Sequence, residues 1–373
     1  MRKTIYYFLF IGILFSCTKK SDKLENIINI KKTTPVSIFD LSKSVDVIKL
    51  ETNNDCLIES ISDVVFYNNR FYILDIRQQG LFCFDATGKF IYKIFRKGQG
   101  PEEYIYIGSF NIDPFNKQLL ILEPFGNLLT FDLNGNFISK TRLPKEIAAY
   151  NEVFPLNNDT LLFISINRYS IVTYDKKRKT IINKLFDDEN KNNLLSPINK
   201  TYSYNDQVFF SPPISNDIIN VKNDSVFTWN FGHENNTQGQ VKKVKEEIKN
   251  AGNVYDDYVQ KQLINYYIIF NYETERYKIC MLRYGKEEYK CRYIFYDKKI
   301  KKPFIFEQTD EGIQFLIPFY NEKSVVLTDH VTGQIRNYKI YDDKILTDQQ
   351  REIIKQHNTE TDNPLLFKYN FKE

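Results

Sequence analysis

The sequence has little net charge and very few histidines. Its 373 residues include 51 Lys and Arg against 47 Asp and Glu, a formal charge of only +4, so the basic surface of a nucleic-acid-binding protein is not predicted. The three histidines, His233, His330 and His357, are too scattered for a histidine-rich metal site or a catalytic triad, and we expect each of them at the surface. With 42% hydrophobic and 26% charged residues, the chain is typical of an ordinary globular protein.

Recognisable catalytic motifs are also missing. The chain has no His-Glu-x-x-His, no Gly-x-Ser-x-Gly and no P-loop, and Gly98-Gln99-Gly100 lacks the third glycine of a dinucleotide-binding loop. Three pairs of adjacent carboxylates could in principle serve acid–base or calcium chemistry, but such neighbours usually face solvent; they are Glu102-Glu103, Asp187-Asp188 and Asp256-Asp257. We therefore predict no catalytic residue, no metal ligand and no cofactor, and a bound calcium ion has no support in the sequence.

Five cysteines occur, and none forms a Cys-x-x-Cys pair that would indicate a redox motif or a zinc knuckle. A two-residue hairpin at Gly285-Lys286 would place Cys280 opposite Cys291, with α-carbons about 5.5 Å apart, a separation that a disulfide accepts. A register slip of one residue would remove this pair. The disulfide status of Cys56, Cys83, Cys280 and Cys291 therefore stays open.

Residues 1–16 have the pattern of a secretory signal peptide. A short basic start is followed by the apolar run of residues 5–15, which is too short to span a bilayer. Leu14-Phe15-Ser16-Cys17 resembles a bacterial lipobox, which implies that Cys17 becomes the lipid-bearing N-terminus. The alternative is a plain secreted protein. Residues 17–34, rich in Lys, Ser, Asp and Asn, are expected to form a flexible tether.

Residues 35–373 contain a repeat of strands and tight turns. The segment Leu81-Phe-Cys-Phe-Asp-Ala-Thr-Gly-Lys-Phe-Ile91 aligns with residues 128–138, and weaker copies occur at 171–181 and 293–300. Each copy is a hydrophobic strand, an Asp-led turn and a returning strand, with a further strand pair upstream. A period of roughly 40 to 50 residues with four strands per unit is typical of a β-propeller blade.

The repeat count predicts an all-β, six-bladed propeller. Innermost strands are expected to begin near Ile61, Phe110, Glu152, Tyr202, Ile264 and Ile313. The strand-like segments 45–50 and 365–369 are left over at the two ends, and we expect one to complete a blade begun by the other, which would close the ring.

Two segments break the β pattern. Residues 238–263 place Val241, Val244 and Ile248 at helical spacing, which predicts an amphipathic helix between blades 4 and 5. Residues 347–357 predict a second short helix, in which Thr347 and Gln350 resemble a capping box. Both helices are expected to lie on the rim of the propeller.

The segment Arg96-Lys-Gly-Gln-Gly-Pro-Glu-Glu-Tyr104 looks like the Gly-Gln-Gly-Pro-Gly-Glu-Tyr stretch of the six-bladed β-propeller lipoproteins of Bacteroidetes, which are related in architecture to NHL-type propellers. The resemblance covers nearly the whole mature chain, including Asn363-Pro364 before the last strand, and it implies no particular reaction. The sequence departs from that pattern at Phe95 and Glu102, where the family commonly has glycine.

The same loop provides a candidate ligand site. Connections between strands 2 and 3 of a blade, and between one blade and the next, emerge on one face of a propeller, called here the top face. The top-face residues expected to surround the channel mouth are Arg77, Arg96, Lys97, Gln99, Glu103, Tyr104, Phe125, Arg168 and Tyr169. Cations and amides beside aromatic rings suit a glycan, a carboxylate or a peptide. The alternative is structural, with Gly98 and Gly100 in a tight turn and Tyr104 packed between blades.

Two sites of covalent modification are suggested. Asp159-Thr160-Leu161 and Asp224-Ser225-Val226 resemble the acceptor for O-glycosylation of exported Bacteroidetes proteins. Both also fit an Asp-containing turn that enters a strand, so Thr160 and Ser225 remain candidates only.

Together these features predict a non-enzymatic ligand-binding or protein-interaction module, anchored by lipid in the cell envelope at the outer membrane, with its membrane face left open. Its expected partners are the membrane and a glycan, a peptide or an envelope protein. The alternative is a hydrolase or lyase acting on a polysaccharide or peptidoglycan fragment. Facing carboxylates inside the channel mouth would favour the enzyme, whereas a broad apolar outer patch would favour a protein partner.

Overall fold

Six small antiparallel sheets form the blades of a six-bladed β-propeller in the computed structural model, as predicted. The structure describes residues 21–24, 26–147, 150–165, 170–185, 201–212, 214–251, 259, 261–285, 291–315, 318–328 and 338–373.

Each blade has four strands, named here in order from the central channel outwards, and blade 4 gains a fifth that is described below. Blade 1 contains Ile61–Tyr67, Arg70–Asp75, Gly80–Asp85 and Phe90–Ile94. Blade 2 contains Ser109–Asp113, Gln118–Glu123, Asn127–Asp132 and Phe137–Arg142. Blade 3 contains Glu152–Pro155, Thr160–Ser165, Ser170–Asp175 and Thr180–Leu185. Blade 4 contains Thr201–Tyr204, Gln207–Phe210, Asp217–Asn220 and Val226–Thr228, and blade 5 contains Tyr266–Glu273, Tyr277–Tyr284, Cys291–Asp297 and Lys302–Phe306.

The Asp-led turns explain why the repeat folds locally. The side chains of Asp85 and Asp132 each accept hydrogen bonds from the backbone N–H groups two and four residues further on, at 2.8 and 3.0 Å in blade 1 and at 2.8 and 2.9 Å in blade 2. Gly88 and Gly135 take φ values of 91° and 83° in these turns, a region that glycine adopts without steric cost. Strands 3 and 4 of a blade are therefore paired by local chemistry.

Both ends of the chain build blade 6, which confirms the predicted closure. Its strands, from the channel outwards, are Phe319–Tyr320, Ser324–Thr328, Leu365–Phe371 and Ser42–Lys49. The predicted innermost strand at Ile313 is wrong, because Ile313 is fully buried in the hydrophobic cluster between blades 5 and 6 and the strand begins at Phe319.

Asn363 ties the last strand to the loop that precedes blade 1. Its side-chain amide donates to the backbone oxygens of Glu51 and Cys56, at 2.6 and 2.7 Å, and its side-chain oxygen accepts from the N–H of Ile58 at 2.7 Å. Its own N–H donates to the hydroxyl of Thr52 at 2.8 Å. This fully buried side chain therefore joins the C-terminal segment to the N-terminal segment where the ring closes.

Both predicted helices are present, although the first does not extend to residue 263 as predicted, because residues 261–263 form a turn. Helix α1 covers Ile38–Leu41, α2 covers Gln238–Ala251 between blades 4 and 5, and α3 covers Asp348–Lys355 with the expected Thr347–Gln350 capping box. Short 3₁₀ turns occur at Lys145–Ile147, Gly232–Glu234 and Asp343–Ile345. Among the described residues, none of the helices has the length and apolar stretch that crossing a bilayer would require.

The prediction of a flexible tether over residues 17–34 is wrong for the described part of that segment. Residues 21–24 and 26–34, called here the N-terminal strap, follow the outer edges of blades 4 and 5. Ser21–Lys23 pairs in parallel with Val226–Thr228 as a fifth strand of blade 4, and the N–H of Thr34 donates to Ile305 O at 2.7 Å. Leu24, Ile28 and Ile30 are buried in a cluster around Trp229. Cys17 and the signal peptide lie outside the described residues.

The register from which a disulfide was predicted is also wrong. Cys291 pairs with Arg283, and Cys280 pairs with Ile294, so the connection between these strands is longer than two residues. Cys280 faces the cluster between blades 4 and 5, whereas Cys291 packs against the cluster between blades 5 and 6. All four described cysteines are free thiols.

Candidate functional site: the central channel

The Arg96–Tyr104 loop connects blade 1 to blade 2 and is held by its own hydrogen bonds. Tyr104 N–H donates to Arg96 O at 2.9 Å, and Gly100 N–H donates to a carboxylate oxygen of Glu103 at 2.7 Å. The Tyr104 side chain is fully buried between the two blades, and its hydroxyl donates to Gln79 O at 2.7 Å. A Cβ added to Gly98 would lie 2.0 Å from the Glu103 carboxylate. The structural interpretation of the loop is therefore confirmed.

The departures from the family pattern cause no backbone strain. Neither Phe95 nor Glu102 has a positive φ, so no glycine is required at these two positions.

The loop contacts the outer part of blade 2. Lys140, on the outermost strand of blade 2, donates to Glu103 O at 2.6 Å. The Arg96 guanidinium forms an ion pair with Glu102 and lies 6.0 Å from the ring centre of Phe131.

The described top-face candidates are not part of the lining of the central channel. They are Arg77, Arg96, Lys97, Gln99, Glu103, Tyr104 and Phe125. Arg168 and Tyr169 lie outside the described residues. A ligand-binding role of the top-face set stays a prediction.

A channel runs along the propeller axis. It has a volume of about 1970 Å³ and is lined by the innermost strands of all six blades. Ligand pockets of drug-sized molecules occupy about 300–1,000 Å³, so this channel has room for an oligomeric ligand.

Tyrosine rings from three neighbouring blades form one wall of the channel. The ring centroids of Tyr202 and Tyr272 are 5.4 Å apart, and those of Tyr272 and Tyr320 are 5.0 Å apart in a stacked arrangement. Phe270 lies 5.6 Å from Tyr320, and the Tyr272 hydroxyl donates to Tyr320 O at 3.0 Å. Because each ring is packed against the next, this aromatic wall (Tyr202, Phe270, Tyr272 and Tyr320) is a rigid apolar surface.

Asp63 lines the channel on the innermost strand of blade 1. Pairing with the second strand skips Ser62, since Ile61 pairs with Asp75 and Asp63 pairs with Leu74. A β-bulge of this kind changes the direction of the side chains that follow it. Burial raises the pKa of Asp63 to about 6. Burial, followed by the charges of Glu322 and Asp63, raises the pKa of Tyr272.

We expect the substitution Asp63→Asn to stabilise the protein at neutral pH. A carboxyl whose pKa is higher in the folded state than in the unfolded state binds a proton on folding, so its contribution to stability falls as the pH rises from about 4 to about 6. Above about pH 6 the ionised Asp63 carboxylate destabilises the folded protein by about 1 to 3 kcal/mol.

Urea unfolding at pH 4.5 and at pH 7.5 measures this effect. The gain in Asp63→Asn should appear at pH 7.5 and shrink at pH 4.5. The exposed control Asp55→Asn should show no such difference. Equal stability of Asp63→Asn and the parent chain at pH 7.5 would contradict the expectation.

The other sequence candidates lie away from the channel. Thr160 and Ser225 occupy turns in which Asn157 and Asn223 accept their backbone N–H groups, at 2.9 and 3.0 Å. The expectation of a surface position is wrong for His357, whose side chain is only 4% exposed and lies 3.5 Å from Asp362. No group of three or more His, Cys, Asp or Glu residues is placed to hold a metal ion within the described ranges.

Sequence reasoning missed Asp63 and the aromatic wall because it looked for function in the loops. The available signal was the polar pair Ser62-Asp63 inside an otherwise apolar first strand, followed by tyrosine or phenylalanine in the first strands of later blades.

Comparisons with known proteins show the family and the fold. Residues 24–370 match a family described as a domain of unknown function, DUF4934, whereas no curated protein is similar to the chain in sequence. The structure is similar to that of a Bacteroides fragilis protein described as exported, with 20% identity, a TM-score of 0.69, and coverage of 95% of this chain and 99% of that one. It is also similar to a DUF4221 family member from Bacteroides vulgatus, with 10% identity, a TM-score of 0.53, and coverage of 91% and 99%. Since the sequence match spans nearly the whole chain, this six-bladed propeller belongs to the DUF4934 family.

Proposed function

We propose that the protein is a non-enzymatic binding module of the cell envelope that holds its ligand in the central channel. The observation that carries this proposal is the channel of about 1970 Å³, which is lined by the aromatic wall and by Asp63. A rigid apolar surface with a few polar groups is the usual composition of a ligand site. A glycan or a peptide would fit a channel of this volume and composition.

Several polar groups of the top-face loop already form hydrogen bonds or ion pairs within the protein, which favours the channel over the loop as the ligand site. Glu103 and Tyr104 satisfy backbone groups of the loop and of blade 1, and Arg96 is paired with Glu102. Groups that are committed to internal hydrogen bonds are poor ligand contacts, since a ligand would have to replace those bonds.

We also propose that a lipid on Cys17 anchors the propeller to a membrane. Cys17 precedes Ser21 by four residues, which is at most about 14 Å of extended chain. Because Ser21–Lys23 pairs with the outermost strand of blade 4, a lipid on Cys17 would hold that edge of the propeller close to a membrane. The similar Bacteroides fragilis structure, described as exported, supports an envelope location, and we propose the outer membrane.

A bulky side chain in the channel tests the proposed site. Ser203 is exposed on the innermost strand of blade 4 and lines the channel, so Ser203→Trp should place a bulky ring in the channel and obstruct a ligand there without disturbing the buried clusters. A thermal-shift screen against glycans, peptidoglycan fragments and peptides should give a ligand that raises the melting temperature of the parent chain by mass action, and this shift should disappear in Ser203→Trp.

Two controls accompany this experiment. Asn183→Trp, on the exposed outermost strand of blade 3, and the double variant Arg96→Ala, Lys97→Ala should keep the shift. A shift that survives Ser203→Trp and is lost in the double variant would move the site to the top face. No shift from any compound would overturn the small-ligand function and favour a protein partner, for which the exposed apolar residues of blades 1 and 2 are available: Phe95, Ile105, Tyr106 and Phe125.

A further inference from the structure

Basic residues are concentrated on one side of the face opposite the top face, called here the bottom face. The turns between strands 1 and 2 and between strands 3 and 4 of each blade emerge there. Counted with the strand residues that flank them, these turns hold three basic and three acidic residues in blades 1 and 2. The same positions in blades 3, 4 and 5 hold ten basic and seven acidic residues. Repetition of the fold does not account for this difference, because the turns are equivalent in all five blades.

Most of the basic residues of blades 3 to 5 are already bound within the protein. Six of them lie 2.8 to 3.9 Å from a carboxylate or, for Lys299, from an oxygen of the last residue: Lys176, Lys177, Arg178, Arg276, Lys298 and Lys299. These pairs neutralise the charges on both sides, so they leave little attraction for an outside partner.

Four lysines remain exposed and form no ion pair with any residue in the described part of the chain. Two exposed carboxylates that are likewise unpaired within the described ranges, Asp206 and Asp224, lie in the same turns and offset part of this charge. The four lysines, called here the basic rim, are Lys179, Lys222, Lys301 and Lys302.

The chain enters the propeller in the middle of the basic rim. Ser21 pairs with Val226, the first residue of the outermost strand of blade 4, which directly follows the turn that contains Lys222. Blade 4 lies between the other two basic blades. Because the pairing is parallel, Ser21 lies at the bottom end of that strand, and the segment that leads back to Cys17 departs from the bottom face.

An exposed apolar side chain lies among the lysines of blade 5. Ile300 is 48% exposed in the turn between Lys299 and Lys301. An apolar side chain flanked by cations suits the boundary between lipid headgroups and acyl chains, where both kinds of group are accommodated.

We propose that the bottom face of blades 3 to 5 docks on an anionic phospholipid bilayer, with the basic rim as the second part of an anchor whose first part is the lipid on Cys17. Stable attachment usually takes two such signals, and each lysine close to an anionic surface strengthens binding about fivefold. The top face then points away from the bilayer. This inference rests on the proposed anchoring at Cys17 for the side on which the membrane lies, and it adds the docking surface, the orientation and the charge of the lipid.

Co-sedimentation with vesicles tests the basic rim separately from the lipid. The chain of residues 17–373 with Cys17→Ser cannot be lipidated at this position. At about 50 mM NaCl it should bind vesicles of phosphatidylcholine and phosphatidylglycerol, mixed at about 3:1, at least about tenfold more tightly than vesicles of phosphatidylcholine alone. This preference should disappear at about 500 mM NaCl, because salt screens charges at the surface.

Two triple variants with the same net charge locate the binding surface. Lys179→Gln, Lys222→Gln and Lys301→Gln together should weaken binding to the mixed vesicles at least about tenfold. Three exposed lysines of blades 1 and 2 provide the control, and the combined substitutions Lys89→Gln, Lys93→Gln and Lys117→Gln should leave the affinity unchanged.

Tryptophan fluorescence tests the orientation. Ile300→Trp on the bottom face and Phe125→Trp on the top face introduce a ring at positions that are 48% and 55% exposed. Mixed vesicles should shift the emission of Ile300→Trp to shorter wavelength and leave that of Phe125→Trp unchanged. Trp229 is fully buried and contributes the same background to both variants.

The possible outcomes separate the docking surface from the proposed function. Equal binding to both kinds of vesicle, equal weakening in the two triple variants, or an emission shift only in Phe125→Trp would each overturn docking through blades 3 to 5. The mass of the mature chain isolated from cell membranes shows independently whether Cys17 carries a lipid. Ligand binding in the channel is measured without vesicles, so failure of the docking surface and failure of the channel give different results.

Discussion

A variant that begins at Pro35, and so lacks the N-terminal strap, is expected to be about 4 to 8 kcal/mol less stable than one that begins at Ser21. The strap buries Leu24, Ile28 and Ile30 against blades 4 and 5, and burial of each such side chain contributes about 1.5 to 3 kcal/mol. It also supplies backbone hydrogen bonds, such as that from Ile28 N–H to Asn230 O at 2.8 Å. Removal of the strap should therefore lower the melting temperature by about 10 °C.

The fluorescence of Trp229 gives a local readout of the same change. Trp229 is the single tryptophan of the chain and is fully buried beneath the strap, with its indole N–H donating to Asn271 at 2.8 Å. Its emission maximum should shift to longer wavelength in the variant that begins at Pro35, because the ring gains contact with water.

Two neighbouring substitutions provide a matched pair for this prediction. Ile28 is 1% exposed and Ile27 is 64% exposed, so Ile28→Ala should cost about 2 to 4 kcal/mol and Ile27→Ala less than about 1 kcal/mol. The strap would be irrelevant to stability if the variant that begins at Pro35 melted at the same temperature and kept the emission maximum of the longer chain.

Substitution of Asn363 is expected to open the ring where the two chain ends meet. Asn363→Leu leaves the N–H of Ile58 and the carbonyl groups of Glu51 and Cys56 without the side-chain partner that they have in the structure. Each buried backbone group that loses its partner costs about 1 to 3 kcal/mol, so we expect a loss of about 3 to 6 kcal/mol. Asn363→Asp should also lower the unfolding free energy, since a carboxylate would face the two backbone carbonyl oxygens.

Denaturant unfolding and limited proteolysis measure the effect of Asn363. Cleavage should begin near the strands of blade 6, because these join the C-terminal segment to Ser42–Lys49. Asn54→Ala, at an exposed asparagine in the adjacent loop, serves as the control and should change the unfolding free energy by about 0.5 kcal/mol or less. If Asn363→Leu unfolded at the same denaturant concentration as the parent chain, the proposed closure by this side chain would be wrong.

The sequence alone predicted the features that depend on neighbouring residues. The Asp85 and Asp132 turns could be recognised because each aspartate bonds to the backbone a few residues away. The capping box of α3 is equally local, with Thr347 and Gln350 three residues apart. The six blades follow from repetition of these signals, and closure by the two chain ends follows because an unpaired outer strand and an unpaired terminal strand need partners.

Features that depend on contacts between distant segments could not be predicted. The strap was misassigned because its three buried residues are spread among polar ones, and their partners on blades 4 and 5 lie roughly 200 residues or more away in sequence. The pairing of Cys291 with Arg283 rather than with Cys280 depends on a loop length that the sequence does not specify.

The candidate site also combines features that the sequence predicted with features that only the tertiary structure revealed. Composition and motifs indicated that the described chain is a propeller without a recognisable catalytic motif, and the Gly98–Tyr104 pattern located a loop whose structural interpretation is confirmed. Only the tertiary structure brought Asp63 of blade 1 and Tyr272 of blade 5 to the same channel, because propeller closure places first strands that are far apart in sequence around one axis. Local chemistry thus determined the blades, whereas the composition of the channel was decided by the closure of the ring.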